Sequence, residues 1–263
     1  MSISPEASVE QNGVPAQRRH GEPAAAERAT SLLPLVREAS ERLDLIVSGL
    51  DEHTIHRPSR LPGWSRAHVV THLARNADAL VNLMTWARTG VEHPMYASRA
   101  DRDADIDEGA TRLAQVLRED LRAASERFMA AATELPARAW HAAVAGRLQS
   151  SLPASDIPSM RLFESWVHLV DLDVEFDFAD IPGHHLDQLV FGAASAHAGR
   201  AEWPKVRVVA ELPDGRTSTW DIGGAEDRTY EVAGPAADVI AWLTGRAAGS
   251  ALRGEVPTLP AWG

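Results

Sequence analysis

Residues 61–90 read LPGWSRAHVVTHLARNADALVNLMTWARTG, and this stretch decides the fold. The opening LPGW is turn-like. Ser65 then supplies a hydroxyl that can accept from one of the backbone N–H groups left unpaired at a helix start. Beyond it, Val69, Leu73, Asn76 and Leu80 recur at helical spacing along one row. Gly90 follows as a C-terminal stop signal. The spacing predicts a helix over residues 66–88.

Working outward, Leu32, Leu33, Leu35, Val36, Leu43, Leu45, Ile46 and Leu50 predict a helix over 28–50, with Pro34 early enough to be tolerated. A long Ala-rich helix is expected over 103–134, closed by Pro136, then an irregular stretch over 140–157 and a fourth helix over 158–176. Four helices of this length predict a mainly α chain built on a four-helix bundle with longer crossovers than an up-down hairpin pattern needs. Beyond residue 180 the texture changes. A short helix (184–200) precedes strands near 206–209, 217–222 and 228–232, read as hairpin-linked through Pro213-Asp214-Gly215 and Gly223-Gly224. Pro235 opens a last helix to about 246. The expected organisation is a disordered tail (1–26), a helix bundle (27–180) and a small C-terminal α+β domain (181–263).

Composition narrows the function. A formal net charge of -11 over 263 residues argues against nucleic-acid binding, which calls for a basic face. There is no cysteine, which removes disulfides, thiolate ligands and a cysteine nucleophile together. Lys205 is the one lysine, leaving a single candidate for Schiff-base chemistry. No apolar run approaches the ~20 residues of a membrane span, and the first residues lack the apolar segment of a secretory signal. A cytoplasmic protein with no membrane partner is expected.

The chemistry concentrates on two helices. Residues 160–172 read MRLFESWVHLVDL, placing Glu164 and His168 four apart on one helix face. Arg161, Ser165 and Asp171 share that polar stripe, and Met160, Phe163, Val167 and Val170 form the apolar row. Such a stripe is ordinarily a solvated face, and a Glu–His pair at this spacing also simply stabilises a helix. The helix over 66–88 adds His68 and His72, again four apart. One histidine from that pair, with Glu164 and His168, makes a His2Glu set that leaves a fourth position open, the mark of a catalytic zinc site. Spacing alone does not choose between His68 and His72.

These two segments, together with the PMY of Pro94–Tyr96, resemble the mycothiol-dependent maleylpyruvate isomerase family, over roughly residues 32–256. The resemblance implies a DinB-like four-helix bundle, a smaller C-terminal α+β domain, a catalytic Zn2+ and mycothiol as the second cofactor. It selects His72 over His68, so that His72, Glu164 and His168 are the expected metal ligands. It also implies an essential arginine, best matched by Arg246 in WLTGR, expected to clamp a carboxylate or oxyanion. By sequence alone, a cation placed near a helix C-terminus accounts for Arg246 equally well. The missing cysteine then makes sense, since the nucleophile is borrowed from mycothiol.

The activity so implied is cis-trans isomerisation of maleylpyruvate to fumarylpyruvate by thiolate addition, rotation and elimination. Two other readings stand beside it: a mycothiol S-transferase acting on another electrophile, and a non-catalytic metal- or ligand-binding regulator. The expected partners are a small-molecule thiol and a small anionic or electrophilic substrate. The sequence leaves the oligomeric state open.

Overall fold

A computed structural model describes residues 25–146, 151–198, 200–224 and 228–260. Two helices replace the single one expected over 28–50: α1 (Ala25–Ser31) and α2 (Leu33–Ser48) meet at Leu32. The proline explains the break. Pro34 fits the first turn of α2, where no N–H is needed, but it would have removed a hydrogen bond from a continuous helix. Ala25 and Ala26 belong to α1, so they leave the expected tail; the rest of that tail lies outside the described residues.

A single turn, α3 (Glu52–Ile55), leads to α4 (Arg66–Thr89). Ser65 is extended, and its side chain accepts from the His68 N–H while the His68 ring accepts from the Ser65 N–H at 3.2 Å. Gly90 ends α4 in the left-handed region at φ 72, where a residue without Cβ carries no strain.

The helix expected over 103–134 is two, α5 (Arg99–Gly109) and α6 (Ala114–Glu134). The cause is a close approach. A Cβ on Gly109 would lie 2.4 Å from Thr71 Cγ2 of α4, so α5 crosses α4 at a glycine and the chain turns before α6 starts. Glycine to alanine inside a helix ordinarily gains up to about 1 kcal/mol. Gly109→Ala is expected to reverse that sign and cost about 1–3 kcal/mol through overpacking. Urea denaturation measures this, and an unchanged midpoint would show that α5 is free to shift.

The segment over 140–157 holds a short antiparallel pair, β1 (Ala143–Ala145) and β2 (Ser151–Pro153), before α7 (Ile157–Asp171). That helix stops five residues short of the expected 176, and Asp173 and Glu175 follow with φ of 57 and 51. Helices α2, α4, α6 and α7 form the bundle, with α4 and α2 each packed against both α6 and α7. The polar stripe of α7 corrects a natural expectation. Arg161, Ser165 and Asp171 are buried, so this stripe faces the bundle interior and not solvent. Arg161 earns its place there by donating to the Leu73 carbonyl at 2.8 Å, Asn76 Oδ1 at 3.2 Å and Ser125 Oγ at 3.2 Å, tying α7 to α4 and α6.

The C-terminal region comprises α8 (Gly183–Ser195), β3 (Lys205–Glu211), β4 (Thr217–Ile222), β5 (Thr229–Pro235), α9 (Ala236–Leu243) and β6 (Arg253–Gly254). The strands are not a run of hairpins. β3 and β4 pair antiparallel across a turn at Gly215, but β5 pairs parallel to β3 on its other side, giving the order β4-β3-β5-β6. Helix α8 packs on α7 and α9, and one buried apolar cluster runs from α1 to Leu252. We propose residue 180 as the domain boundary, at the end of the 3-10 turn Phe178–Asp180. Among the described residues, no helix is long and apolar enough to cross a membrane.

One buried histidine ties stability to pH. His197 stacks on Trp203 with ring centroids 3.5 Å apart, and its Nε2 lies 3.0 Å from the Leu243 carbonyl. Burial pushes its pKa down from 6.5 to about 4, against the opposing hydrogen bond to Leu243. The folded state therefore takes up this proton later than the unfolded chain. Stability present above pH 6.5 is lost as pH falls towards about 4, by on the order of 3 kcal/mol in all. His197→Phe is expected to flatten that slope in denaturation series; an unaltered slope would show that other groups set it.

Candidate metal centre

Helices α4 and α7 lie side by side, and the second turn of α4 faces the last two turns of α7. His72 Nε2 is 3.0 Å from Glu164 Oε2 and 3.1 Å from His168 Nε2, and the last edge, His168 Nε2 to Glu164 Oε2, is 3.3 Å. Four-coordinate zinc bound at 2.0–2.2 Å separates its ligand atoms by roughly 3.3 Å, so this triangle has the size of one face of a zinc tetrahedron. The two imidazoles meet edge-on, at 88°, with their nitrogens turned to a common point. The His72 side chain is 6% exposed and Glu164 31%, so the triangle opens to solvent from the carboxylate side. The residues fit a divalent ion of the zinc type.

His68, the other histidine of α4, is not at this point. Its ring is committed to the helix cap, with Nδ1 2.7 Å from Ser65 Oγ. That cap explains its presence without a ligand role, and Trp64 packs beside both rings, 6.2 Å from His68 and 5.7 Å from His72.

The charges are balanced through contact. Burial pushes His72 down to about 4, against its hydrogen bond with Glu164, leaving the ring neutral at physiological pH. Enclosure alone would raise Glu164, but hydrogen bonds to His168 and His72 outweigh it and hold the carboxyl well below its usual range. For His168, burial is outweighed by Asp171 and Glu164, which raise it to about 9. Asp171 is buried yet pushed down, because His168 and Arg246 together outweigh desolvation.

Behind the triangle stands a second layer. His168 Nδ1 is 2.8 Å from Asp171 Oδ2, a contact that directs Nε2 into the triangle. Arg246 then grips Asp171 with two bonds, Nε to Oδ1 at 3.1 Å and Nη2 to Oδ2 at 2.7 Å, and donates from Nη1 to the Thr244 carbonyl. So Arg246 does reach the site, but its guanidinium is engaged with a carboxylate of the chain. It also lines a cleft of about 640 Å3 with Arg60, Asp171 and Trp242.

Arg102 was not anticipated. It lies on α5, whose separation from α6 brings it over α4, and its Nη2 is 3.4 Å from His72 Nδ1. The same guanidinium stands 5.8 Å from the Tyr96 ring and lines a cleft of about 580 Å3 with Arg99, Arg200, Trp86 and Tyr96. Arg99, Arg102 and Arg200 share that lining with Glu92 and Glu202, so the cleft offers three guanidinium groups to a carboxylate beside two carboxylates of its own. In sequence, the one pointer was an arginine close to the PMY segment.

Comparison with known proteins identifies a family for the chain. Residues 36–173 match the family described as the mycothiol maleylpyruvate isomerase N-terminal domain. Among solved structures, the chain is similar to the crystal structure of the mycothiol-dependent maleylpyruvate isomerase, with 30% identity, TM-score 0.75, and coverage of 89% of this chain and 97% of that one. A histidine-to-alanine mutant of that isomerase matches with TM-score 0.74 at the same identity and coverage. A comparison with curated protein sequences finds no match.

Proposed function

Because this chain belongs to the mycothiol maleylpyruvate isomerase family, we propose that it is a zinc- and mycothiol-dependent isomerase converting maleylpyruvate to fumarylpyruvate. The observation that carries the proposal is the triangle of His72 Nε2, Glu164 Oε2 and His168 Nε2, with edges of 3.0, 3.1 and 3.3 Å. These three side chains would hold the metal. A bound zinc favours the thiolate form of a small thiol, supplying the nucleophilic sulfur that a chain without cysteine lacks.

The chain's own residues do the rest. Asp171 fixes the orientation of His168, and Arg246 fixes Asp171, so we assign Arg246 a positioning role through this relay in place of a direct clamp on substrate. Arg102, Arg99 and Arg200 line the cleft beside α5, which Arg102 links to His72 through its 3.4 Å contact with Nδ1, and they would receive the carboxylates of a small dianionic acid. Trp64 and the buried face of α4 shield the imidazoles from water.

Incubating the zinc-loaded protein with mycothiol and maleylpyruvate tests the reading. The expected result is cis-to-trans conversion without net consumption of thiol. Accumulation of a thiol conjugate would instead make the protein a mycothiol S-transferase, and no reaction with bound zinc would favour a binding role. In the same assay, Arg102→Ala removes one charged contact to substrate, worth about 1.5–3 kcal/mol. A fall of roughly 10- to 100-fold in kcat/KM is expected, borne mainly by KM. Wild-type KM in that variant would remove Arg102 from substrate binding.

A further inference from the structure

A second cluster with the same donor types lies apart from the centre described above. Glu38 of α2 meets His184 and His185 at the start of α8, and the three offer ligand atoms that all lie within 4.8 Å of one another. Glu38 Oε2 is 2.8 Å from His184 Nε2 and 3.2 Å from His185 Nε2, distances close to the roughly 3.3 Å between neighbouring ligands of a tetrahedral zinc.

His185 supplies an independent sign. It is 0% exposed and packed edge-on against Trp166 of α7, with ring centroids 4.9 Å apart; its Nδ1 has no hydrogen-bond partner, and the polar neighbour of its Nε2 is Glu38. A buried polar atom without a partner is costly and rare. Its Nε2 lies 3.2 Å from the Glu38 carboxylate oxygen that also meets His184, so both rings turn a nitrogen to one point.

We propose that Glu38, His184 and His185 form a second metal site, for a divalent cation of the zinc, cobalt or nickel class. Imidazole selects these ions over magnesium and calcium, which take oxygen ligands. Glu38 and His184 are about half exposed, at 44% and 55%, so water completes the coordination shell. The site is structural: it pins the first turn of α8 to the second turn of α2 and so joins the C-terminal region to the bundle. The positive end of the α8 dipole opposes a cation here, and the Glu38 carboxylate offsets it, so binding is weaker than at the His72 centre.

Untagged protein stripped of metal and titrated with Co2+ and then Zn2+ tests the proposal. Wild type is expected to bind two equivalents of zinc, and His184→Ala or Glu38→Gln one. Both changes are at half-exposed positions, so the fold is retained. His72→Ala, which removes a ligand of the first centre, is expected to keep one equivalent, with visible Co2+ absorption that His72→Ala/His184→Ala lacks. Zinc should also raise the Tm of His72→Ala by roughly 5 °C. Uptake of a single equivalent by wild type, unchanged in Glu38→Gln and His184→Ala, would overturn the second site and leave the first intact. Cobalt binding that survives His72→Ala/His184→Ala would place the ion elsewhere and overturn it equally.

Discussion

His168→Ala is expected to leave the protein folded but nearly free of zinc at the α4–α7 centre, and inactive with maleylpyruvate and mycothiol. In the proposed centre His168 is one of three protein ligands, and its removal would open a second position to water. Loss of an outer partner alone typically costs 10- to 100-fold in metal affinity, so loss of the ligand should exceed about 100-fold. The fold has reason to survive. His168 is at the end of α7, its ring is 15% exposed, and its neighbours Leu169 and Val170 keep their places in the core. Removing it also leaves Asp171 with both of its Arg246 bonds. Zinc content separates this outcome from unfolding: far-UV circular dichroism should be unchanged while metal retention at this centre falls to trace. A variant that kept zinc there and full turnover would remove His168 from the ligand set.

The second large effect is expected from Arg246→Ala, and it should appear in two measurements together. Asp171 is fully buried, and Arg246 is its only cationic partner besides His168 among the described residues. Breaking a buried ion pair from one side leaves an uncompensated charge, which costs about 3–5 kcal/mol of folding stability. The same change frees Asp171 to turn from His168 Nδ1, so zinc affinity should fall about 10- to 100-fold. Arg246→Lys keeps the charge without the two-pronged grip, and it should recover part of each loss. A purely substrate-clamping arginine predicts another pattern, with KM raised while stability and zinc affinity stay put. That pattern would restore the role expected from sequence.

What could be read in the sequence follows how local each signal is. Ser65 and Gly90 mark the ends of α4 because capping involves residues three or four apart, and those expectations match the observed Arg66–Thr89 to within a residue. Glu164 and His168 are likewise neighbours on one helix turn, and the fold brings His72 to them across 92 residues of sequence. The family resemblance, and not periodicity, separated His72 from His68. The structure adds the reason, since His68 is occupied in a cap that local reasoning could have found from Ser65 three residues earlier.

The remainder depended on contacts between distant segments. Nothing near residue 110 announces that α5 must cross α4, because the cause is the Gly109–Thr71 approach. The polar stripe of α7 looked solvated because helix periodicity cannot say which face is inside, and here Arg161 finds its acceptors on α4 and α6. The parallel pairing of β5 with β3 hides behind turn signals that suit a hairpin equally well. Asp171 and Arg246 are 75 residues apart, so their pairing was invisible until α8 and α9 packed against the bundle.

The proposed activity depends most on three side chains sharing one ion. Crystals of the zinc-loaded protein, with anomalous diffraction recorded on either side of the zinc absorption edge, test that most directly. A peak is expected about 2.0–2.2 Å from His72 Nε2, Glu164 Oε2 and His168 Nε2 alike, the ordinary zinc ligand distances. Fully zinc-loaded crystals with no peak between those atoms, whatever appears elsewhere in the chain, would contradict it.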